Sequence, residues 1–386
     1  MKRIVLPLIA ALTIVCGVGS AAEVQLPGGT FVFSDDEYYF GRMTVTVEGA
    51  FTGALRDSFD DFQFGKRTFR GQLSFGGEVD CDLQYPEATY YHPFGPGESL
   101  KIRHTPDGPT EYVATVRLVV GNRIGPPSIY TFELPGHRVL ADPAAAGLYT
   151  LLFRATPGIG VGRAPAGTGW AVMRLSPEGN FQCLGRLANG ESFSFGFDSR
   201  ADRKLDLFRF PSPSTFYPRR GTNFRSTFYG TILLQDVAGV SDADGFVSWH
   251  DNPISEEDFI ADLTVIASRY VPTRDALSLL TGDAIAPGIK PPLGVATFFN
   301  DSFAEPKSAF RFGTPPVVLP MFTSLMPRLR WKTDGNPSPG RFHGRVRPNG
   351  GQIFPFSGVF FGKQRISEGF FRLRGDSGVV RLGIAP

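Results

Sequence analysis

Apolar and polar residues alternate with a period of two over much of this chain. Met43-Thr44-Val45-Thr46-Val47, Thr115-Val116-Arg117-Leu118-Val119 and Ser192-Phe193-Ser194-Phe195 each show the spacing of a strand with one buried and one wet face. Glycine and proline, 46 and 32 residues, recur too often to leave room for long helices. The best helix candidate begins at Ser255, where Ser255 can cap and Asp258 can answer it at the third helical position. It is expected to last one or two turns, because residues 262–270 (DLTVIASRY) return to a β-rich composition.

Three stretches repeat one unit: a strand, a glycine turn, a strand opening on Phe, a second glycine turn and a Phe-rich strand. They are Met43 to Leu73, Ala171 to Phe197 and Arg328 to Phe361. Each such meander keeps one apolar face uncovered until neighbouring strands close over it. Short strands joined by tight turns point to antiparallel barrels or sandwiches, and sequential pairing favours the barrel-like form. The expected fold class is therefore all-β, with two antiparallel meander or barrel-like β domains and little helix. Glycines inside strands, at Gly53, Gly71, Gly185, Gly344 and Gly358, suit strongly curved sheets. The phenylalanines are expected to fill the interior rather than to line a ligand belt.

At 386 residues the chain exceeds one typical domain. Ala141 to Gly147 (ADPAAAG) is the clearest break, separating an N-terminal β domain, 23–140, from a C-terminal β domain, 146–386. The latter holds two repeats, with a Pro/Gly-rich insertion at about 272–320 between them. The first residues read as a secretory signal, 1–22: Lys2 and Arg3, an apolar run from Ile4 to Val18, and the small cleavage triplet Ser20-Ala21-Ala22. Thr13, Ile14 and Val15 ahead of Cys16 do not suit lipid attachment there. No later run has the roughly 18 apolar residues that a membrane-spanning helix needs.

Charge narrows the partners. The 39 Lys and Arg fall to 37 once Lys2 and Arg3 are removed, equal to the 37 Asp and Glu, and nucleic acid is not an expected partner of so balanced a chain. Short basic clusters such as Arg219-Arg220 or Arg328/Arg330 read as solvated strand edges. Cys81 and Cys183 survive in the mature chain, and an exported protein would permit them to pair. Their places in different halves, and the apolar neighbours of Cys183, favour two small buried hydrophobes instead.

Few constellations carry chemistry. Asp242 and Asp244, with Asp251 nearby, alternate around a glycine turn in the manner of calcium ligands, but the distal Glu of a complete loop is missing and a plain Asp/Gly turn accounts for the same residues. No other cofactor is implied. His92, His104, His137, His250 and His343 sit in no catalytic motif, and there is neither a Gly-x-Ser-x-Gly elbow nor a His-Glu-x-x-His helix. Residues 158–169 (GIGVGRAPAGTG) lack the Gly-Lys-Ser/Thr ending of a phosphate loop and read as a connection between strands. Trp170, Trp249 and Trp331 are candidate platforms for sugar rings, weighed against core packing, which the related positions of Trp170 and Trp331 favour.

The order of these motifs resembles an uncharacterised family of exported bacterial proteins built from Gly/Phe-punctuated β repeats. The resemblance rests on Gly49-Ala50-Phe51-Thr52-Gly53-Ala54-Leu55, on Gly185-Arg186-Leu187-Ala188-Asn189-Gly190 followed by Phe193-Ser194, on Ser268-Arg269-Tyr270, and on Phe356-Ser357-Gly358-Val359 followed by Lys363-Gln364. It implies export and a β-repeat fold and brings no activity, cofactor or catalytic residue. The leading expectation is a noncatalytic exported module, structural or adhesion-like, at the envelope or outside the cell, with a glycan or envelope component as partner. The alternatives are a secreted carbohydrate-binding or carbohydrate-active protein and an outer-membrane β-barrel. The last is disfavoured by short, glycine-broken strands.

Overall fold

The structure, a computed structural model, describes residues 26–34, 39–57, 67–84, 99–106, 110–120, 126, 128–139, 141–161, 165–209, 227–250, 259–272, 280, 293–299, 307–311, 317–319, 324–332, 340–348, 352–373 and 376–384. Three antiparallel sheets follow one another along the chain. The first comprises β1 Gly29–Ser34, β2 Tyr39–Val45, β3 Ala50–Asp57, β4 Arg67–Gln72, β5 Glu78–Gln84, β6 Ser99–His104, β7 Tyr112–Val120 and β8 Ser128–Arg138, and closes as a barrel when β1 pairs with β8. The second holds β9 Gly147–Val161, β10 Gly169–Leu175, β11 Asn180–Arg186, β12 Ser192–Asp198, β13 Lys204–Arg209, β14 Thr227–Val237, β15 Ser241–His250 and β16 Ile260–Tyr270. Its order is β12-β11-β10-β9-β16-β15-β14-β13, so two meanders meet where β9 pairs with β16. The third holds β17 Leu293–Phe299, β18 Lys307–Arg311, β19 Val317–Leu319, β20 Ser324–Lys332, β21 Arg341–Pro348, β22 Phe354–Phe361, β23 Ile366–Leu373 and β24 Asp376–Ile384, joined where β17 pairs with β24. The class is all-β and barrel-like, as the alternation of residues predicts.

Details of the sequence reading fall differently. The stretch expected as an insertion supplies β17, β18 and β19 of the third sheet. The glycine-rich connection is partly strand, because β9 continues to Val161 and reaches Ile260 of β16 through an irregularity between Ala261 and Leu263. The helix expected at Ser255, the leader and His92 lie outside the described residues.

Each sheet is apolar inside for the same reason. In the barrel, Met43, Phe51, Leu100, Ile102, Ala114 and Leu134 point inward and are buried, while Arg42, Thr44, Thr52, Arg70 and Arg103 alternate with them on the water side. This filled interior and polar exterior is the reverse of a membrane barrel, whose outward band is apolar. Cys81 belongs to this core and Cys183 to that of the second sheet, and no disulfide joins them.

The glycines inside strands have a common cause. Phe69 lies across Gly53, Phe193 across Gly185, Phe342 across Gly358 and Phe371 across Gly378, each pair directly opposed on neighbouring strands. A Cβ at Gly185 would come within 2.5 Å of the Phe193 ring and 2.4 Å of the Trp170 carbonyl oxygen, and one at Gly358 within 2.5 Å of Phe342 and 2.3 Å of the Glu368 carbonyl oxygen. The missing side chain lets the ring lie flat on the neighbouring backbone and lets the sheet curve.

The second and third sheets pack against each other through the faces their own cores leave free. In β10, Ala171, Met173 and Leu175 point into the core of the second sheet, while Trp170 and Val172 join Leu152, Ile266, Val359, Phe361 and Phe370 in a separate cluster between the sheets. Polar groups in the joint are matched. The Trp170 indole donates to Ser357 Oγ at 3.0 Å, Thr150 Oγ1 donates to the Phe360 carbonyl at 2.8 Å, and Lys363 N donates to Ser268 Oγ at 2.8 Å. Glu368, 1% exposed, accepts from Arg154 at 2.9 and 3.3 Å, Thr168 at 2.7 Å and Arg381 at 2.9 Å. Burial alone would raise its carboxyl, but the charge and hydrogen bond of Arg154, with Thr168 and Arg381, outweigh it and hold the group below the usual 4.5.

Two outcomes follow. Gly185→Ala and Gly358→Ala each force the new methyl into backbone, and each is expected to lower the unfolding free energy in urea by about 3 kcal/mol or more, whereas Gly239→Ala, with open space around it but a positive φ, should cost about 1 kcal/mol. Because the folded-state pKa of Glu368 is depressed, its contribution is present above the usual 4.5 and is lost as pH falls through the lower folded value. Acid titration of wild type should therefore show a loss of stability below pH 4.5 that Glu368→Gln, already weaker by about 3 kcal/mol at neutral pH, has largely lost.

Candidate functional site

A cleft of about 550 Å³ opens where the second and third sheets meet, lined by Trp170, Arg186, Arg330, Arg341, His343 and Arg345 together with Arg372, Ser357 and the edges of Phe342, Phe356 and Phe370. Its size lies within the usual range of small-molecule sites. Strand periodicity builds its charged wall. Arg341, His343 and Arg345 share one face of β21, about 7 Å apart at each step, while Phe342 and Val346 between and beyond them are buried in the third sheet. Arg330 of β20 stands directly opposite His343, and Ser357 of β22 opposes it on the other side. The second sheet brings Arg186 from the end of β11 and Gly190 from the following turn, and the Arg372 side chain of β23 lies against that glycine.

The electrostatics are one-sided. Among the described residues the lining holds five arginines and one histidine and no carboxylate. Arg341 lies over the Trp170 ring, its guanidinium carbon 5.6 Å from the ring centre. Burial, then the charge of Arg186, push the Arg341 guanidinium below its ordinary value. His343 is lowered from the usual 6.5 by burial first, then by Arg341, Arg330 and Arg186. It is held neutral near pH 7. His343 and Ser357 face one another without a hydrogen bond between them, and the Ser357 hydroxyl oxygen accepts from Trp170.

The residues singled out from sequence are dispersed. Trp170 forms the floor of the cleft but is 4% exposed, so its ring faces other side chains. Trp249, 1% exposed, packs edge-on against Phe259 in the core of the second sheet, 4.6 Å between ring centres. Trp331 lies in β20 opposite Phe342, and its side chain is outside the described residues. All four oxygens of Asp242 and Asp244 accept from protein donors: Asp242 from Lys363 Nζ and the Arg269 amide, Asp244 from Gln235 and Ser241. A calcium ion would have to displace them. Asp251 lies outside the described residues. Lys363, which also pairs with Asp236, ties the end of β14 and the start of β15 to the third sheet, so the expected Asp/Gly turn is strand and a clamp.

The other described histidines have structural partners. His104 is buried and accepts from the Gly76 amide at 3.1 Å, His137 meets Arg200, and His250 meets Tyr229 and Ser248. The arginines of the cleft are the functional candidates that the sequence reading passed over, taking Arg330 for a solvated edge. Arg341-Phe342-His343-Gly344-Arg345 carried a usable signal, because period-two alternation puts three cationic positions on one strand face.

In an NMR titration the His343 ring is expected to ionise below pH 6.5 in the wild type, with its midpoint moving upward in Arg341→Gln as one repelling charge is removed.

No family model and no curated protein matches the chain. Among solved structures, one described as the structure of intact Ap-TbpB, N and C lobes, aligns with 94% of this chain and 78% of its own at 10% identity and a TM-score of 0.20. A likeness of that size carries neither fold nor function to this chain.

Proposed function

We propose that this chain is a noncatalytic exported β protein that acts as a binding module at the cell envelope or outside the cell, with the cleft between its second and third sheets as the ligand site. The observation that carries this reading is the cleft itself: a concave site walled by two firmly joined sheets and faced with the side chains of Arg186, Arg330, Arg345 and Arg372, none of which meets a carboxylate among the described residues. The absence of a carboxylate from its described lining, and of a hydrogen bond between His343 and Ser357, favours binding over the carbohydrate-active alternative, which asks for paired carboxylates or an activated nucleophile. The polar exterior of the first sheet favours a water-facing protein over an outer-membrane barrel. Arg42 to Asp198 at 2.9 Å, with Val32, Phe40 and Phe208, docks that barrel on the second sheet away from the cleft, consistent with a supporting part.

The test is a glycan array probed with the mature chain from Glu23 and with Arg345→Ser, an exposed lining residue whose loss should leave the melting temperature within about 2 °C of wild type. Selective retention that the variant loses is the expected result. Retention undiminished in the variant would move the ligand site elsewhere, and release of sugar from the array would make the protein an enzyme.

A further inference from the structure

The cleft concentrates like charge where a folded protein ordinarily avoids it. Arg330 faces His343 directly across the β20–β21 ladder, and Arg341 and Arg345 flank it on the same strand face. With His343 neutral, Arg330, Arg341 and Arg345 gather three positive charges on one face of neighbouring strands, and these repel one another. Several arginines elsewhere meet acids: Arg138 with Glu111 at 2.7 Å, Arg42 with Asp198 at 2.9 Å, Arg154 and Arg381 with Glu368 at 2.9 Å each. The cleft lining has none, among the described residues, for Arg186, Arg330, Arg345 and Arg372. Burial first, and the neighbouring arginines second, lower the Arg341 guanidinium and the His343 imidazole.

Geometry adds to charge. A guanidinium is a planar fork of donors that matches the oxygens of carboxylate, sulfate or phosphate two at a time, and it stays charged in a partly desolvated site. Arg341 is partly buried and laid over Trp170, whose indole is itself fixed by Ser357, so its orientation is set before any ligand arrives. Arg186 reaches the cleft from the second sheet and Arg330, Arg341, Arg345 and Arg372 from the third. Low-dielectric walls of Phe342, Phe356 and Phe370 focus their combined field into the opening. Arg341 and Arg345, about 14 Å apart along β21 with the neutral His343 between them, and Arg186 on the facing sheet suit several separated anionic groups better than one.

We infer that the cleft takes a ligand carrying two or more oxyanion groups, carboxylate, sulfate or phosphate, which the arginines of both sheets grip together. This rests on the reading of the cleft as a binding site and names the chemistry of its occupant. The missing carboxylates are then supplied by the ligand, and the instability of the empty site is relieved when it binds.

The experiment is calorimetric titration of the mature chain with a trisulfated disaccharide, digalacturonate, pyrophosphate and inorganic sulfate, with maltose as the neutral control, in low and in raised sodium chloride. Parallel titrations use Arg341→Gln and the double variant Arg186→Gln/Arg330→Gln. At least one multivalent anion is expected to bind more tightly than inorganic sulfate, to weaken as salt rises, and to lose about tenfold or more in affinity in each variant, while maltose gives no heat. Preference for the sulfated sugar or digalacturonate would identify an acidic saccharide, and preference for pyrophosphate a phosphate-bearing ligand. Thermal melts make the test independent of the probe. In low salt without ligand the variants should melt at or above the wild-type temperature, and the bound anion should raise the wild type more than the variants. Binding of maltose as tight as that of the anions, lost in the variants, would overturn the anionic assignment and leave the cleft a binding site. Anion binding no tighter than about 1 mM, or unchanged in both variants, would overturn the assignment together with the role of the cleft.

Discussion

The structure depends on the burial of both faces of a few central strands at the joint between the second and third sheets. A meander needs only one buried face, and the outward positions of β10 would ordinarily be polar. Here Trp170 and Val172 are apolar instead, and they meet Val359, Phe361 and Phe370 from β22 and β23. Polar atoms drawn into this contact would each cost about 1–3 kcal/mol if left without a partner. Trp170, Thr150, Ser268 and Glu368 all find partners across the joint. The cleft exists because this contact holds the ends of β11 and β21 side by side, and no single sheet contains it.

Within each sheet a second device recurs. A phenylalanine on one strand covers a glycine directly opposite on the next, as Phe69 covers Gly53, Phe193 covers Gly185 and Phe342 covers Gly358. Glycine weakens a strand by itself, since it packs nothing and costs backbone entropy. The ring restores the lost contact and closes the backbone to water, and the close approach curves the sheet. The composition of the chain, rich in both residues, follows from this arrangement.

The joint and the cleft treat charge in opposite ways. At Glu368 one buried carboxylate gathers two arginines and a hydroxyl, and Lys363 gathers Asp236 and Asp242. These groups lock the two sheets together, and their balance makes them structural. A few residues away Arg186, Arg330, Arg345 and Arg372 converge without an acid among the described residues of the lining. A surface that satisfies its charges has little left to offer a ligand, while one that leaves them opposed holds interaction energy in reserve.

The sequence by itself determined the all-β class, the three meanders at β2–β4, β10–β12 and β20–β22, and the inward phenylalanines, because alternation and glycine spacing are local properties that set which face of a strand is apolar. The stretch from residue 272 to 320 was less legible: short Pro/Gly-broken segments such as β17 to β19 carry too few alternating positions to declare themselves until β24 pairs with β17. Trp170 read as core ahead of sugar platform, but which surface would cover it, and the Ser357 hydroxyl that its buried indole needs, came only with the partner sheet. Asp242 and Asp244 had the local look of a metal site in a turn, and their place at the start of β15, with Lys363 more than a hundred residues away in the chain, made them a clamp. Arg330, with Arg328, read as a solvated strand edge, and Arg186 and Arg345 drew no functional reading. Their convergence is a fact of sheet-on-sheet packing, and charge repulsion and ligand binding depend on separation in space, which only the tertiary structure sets.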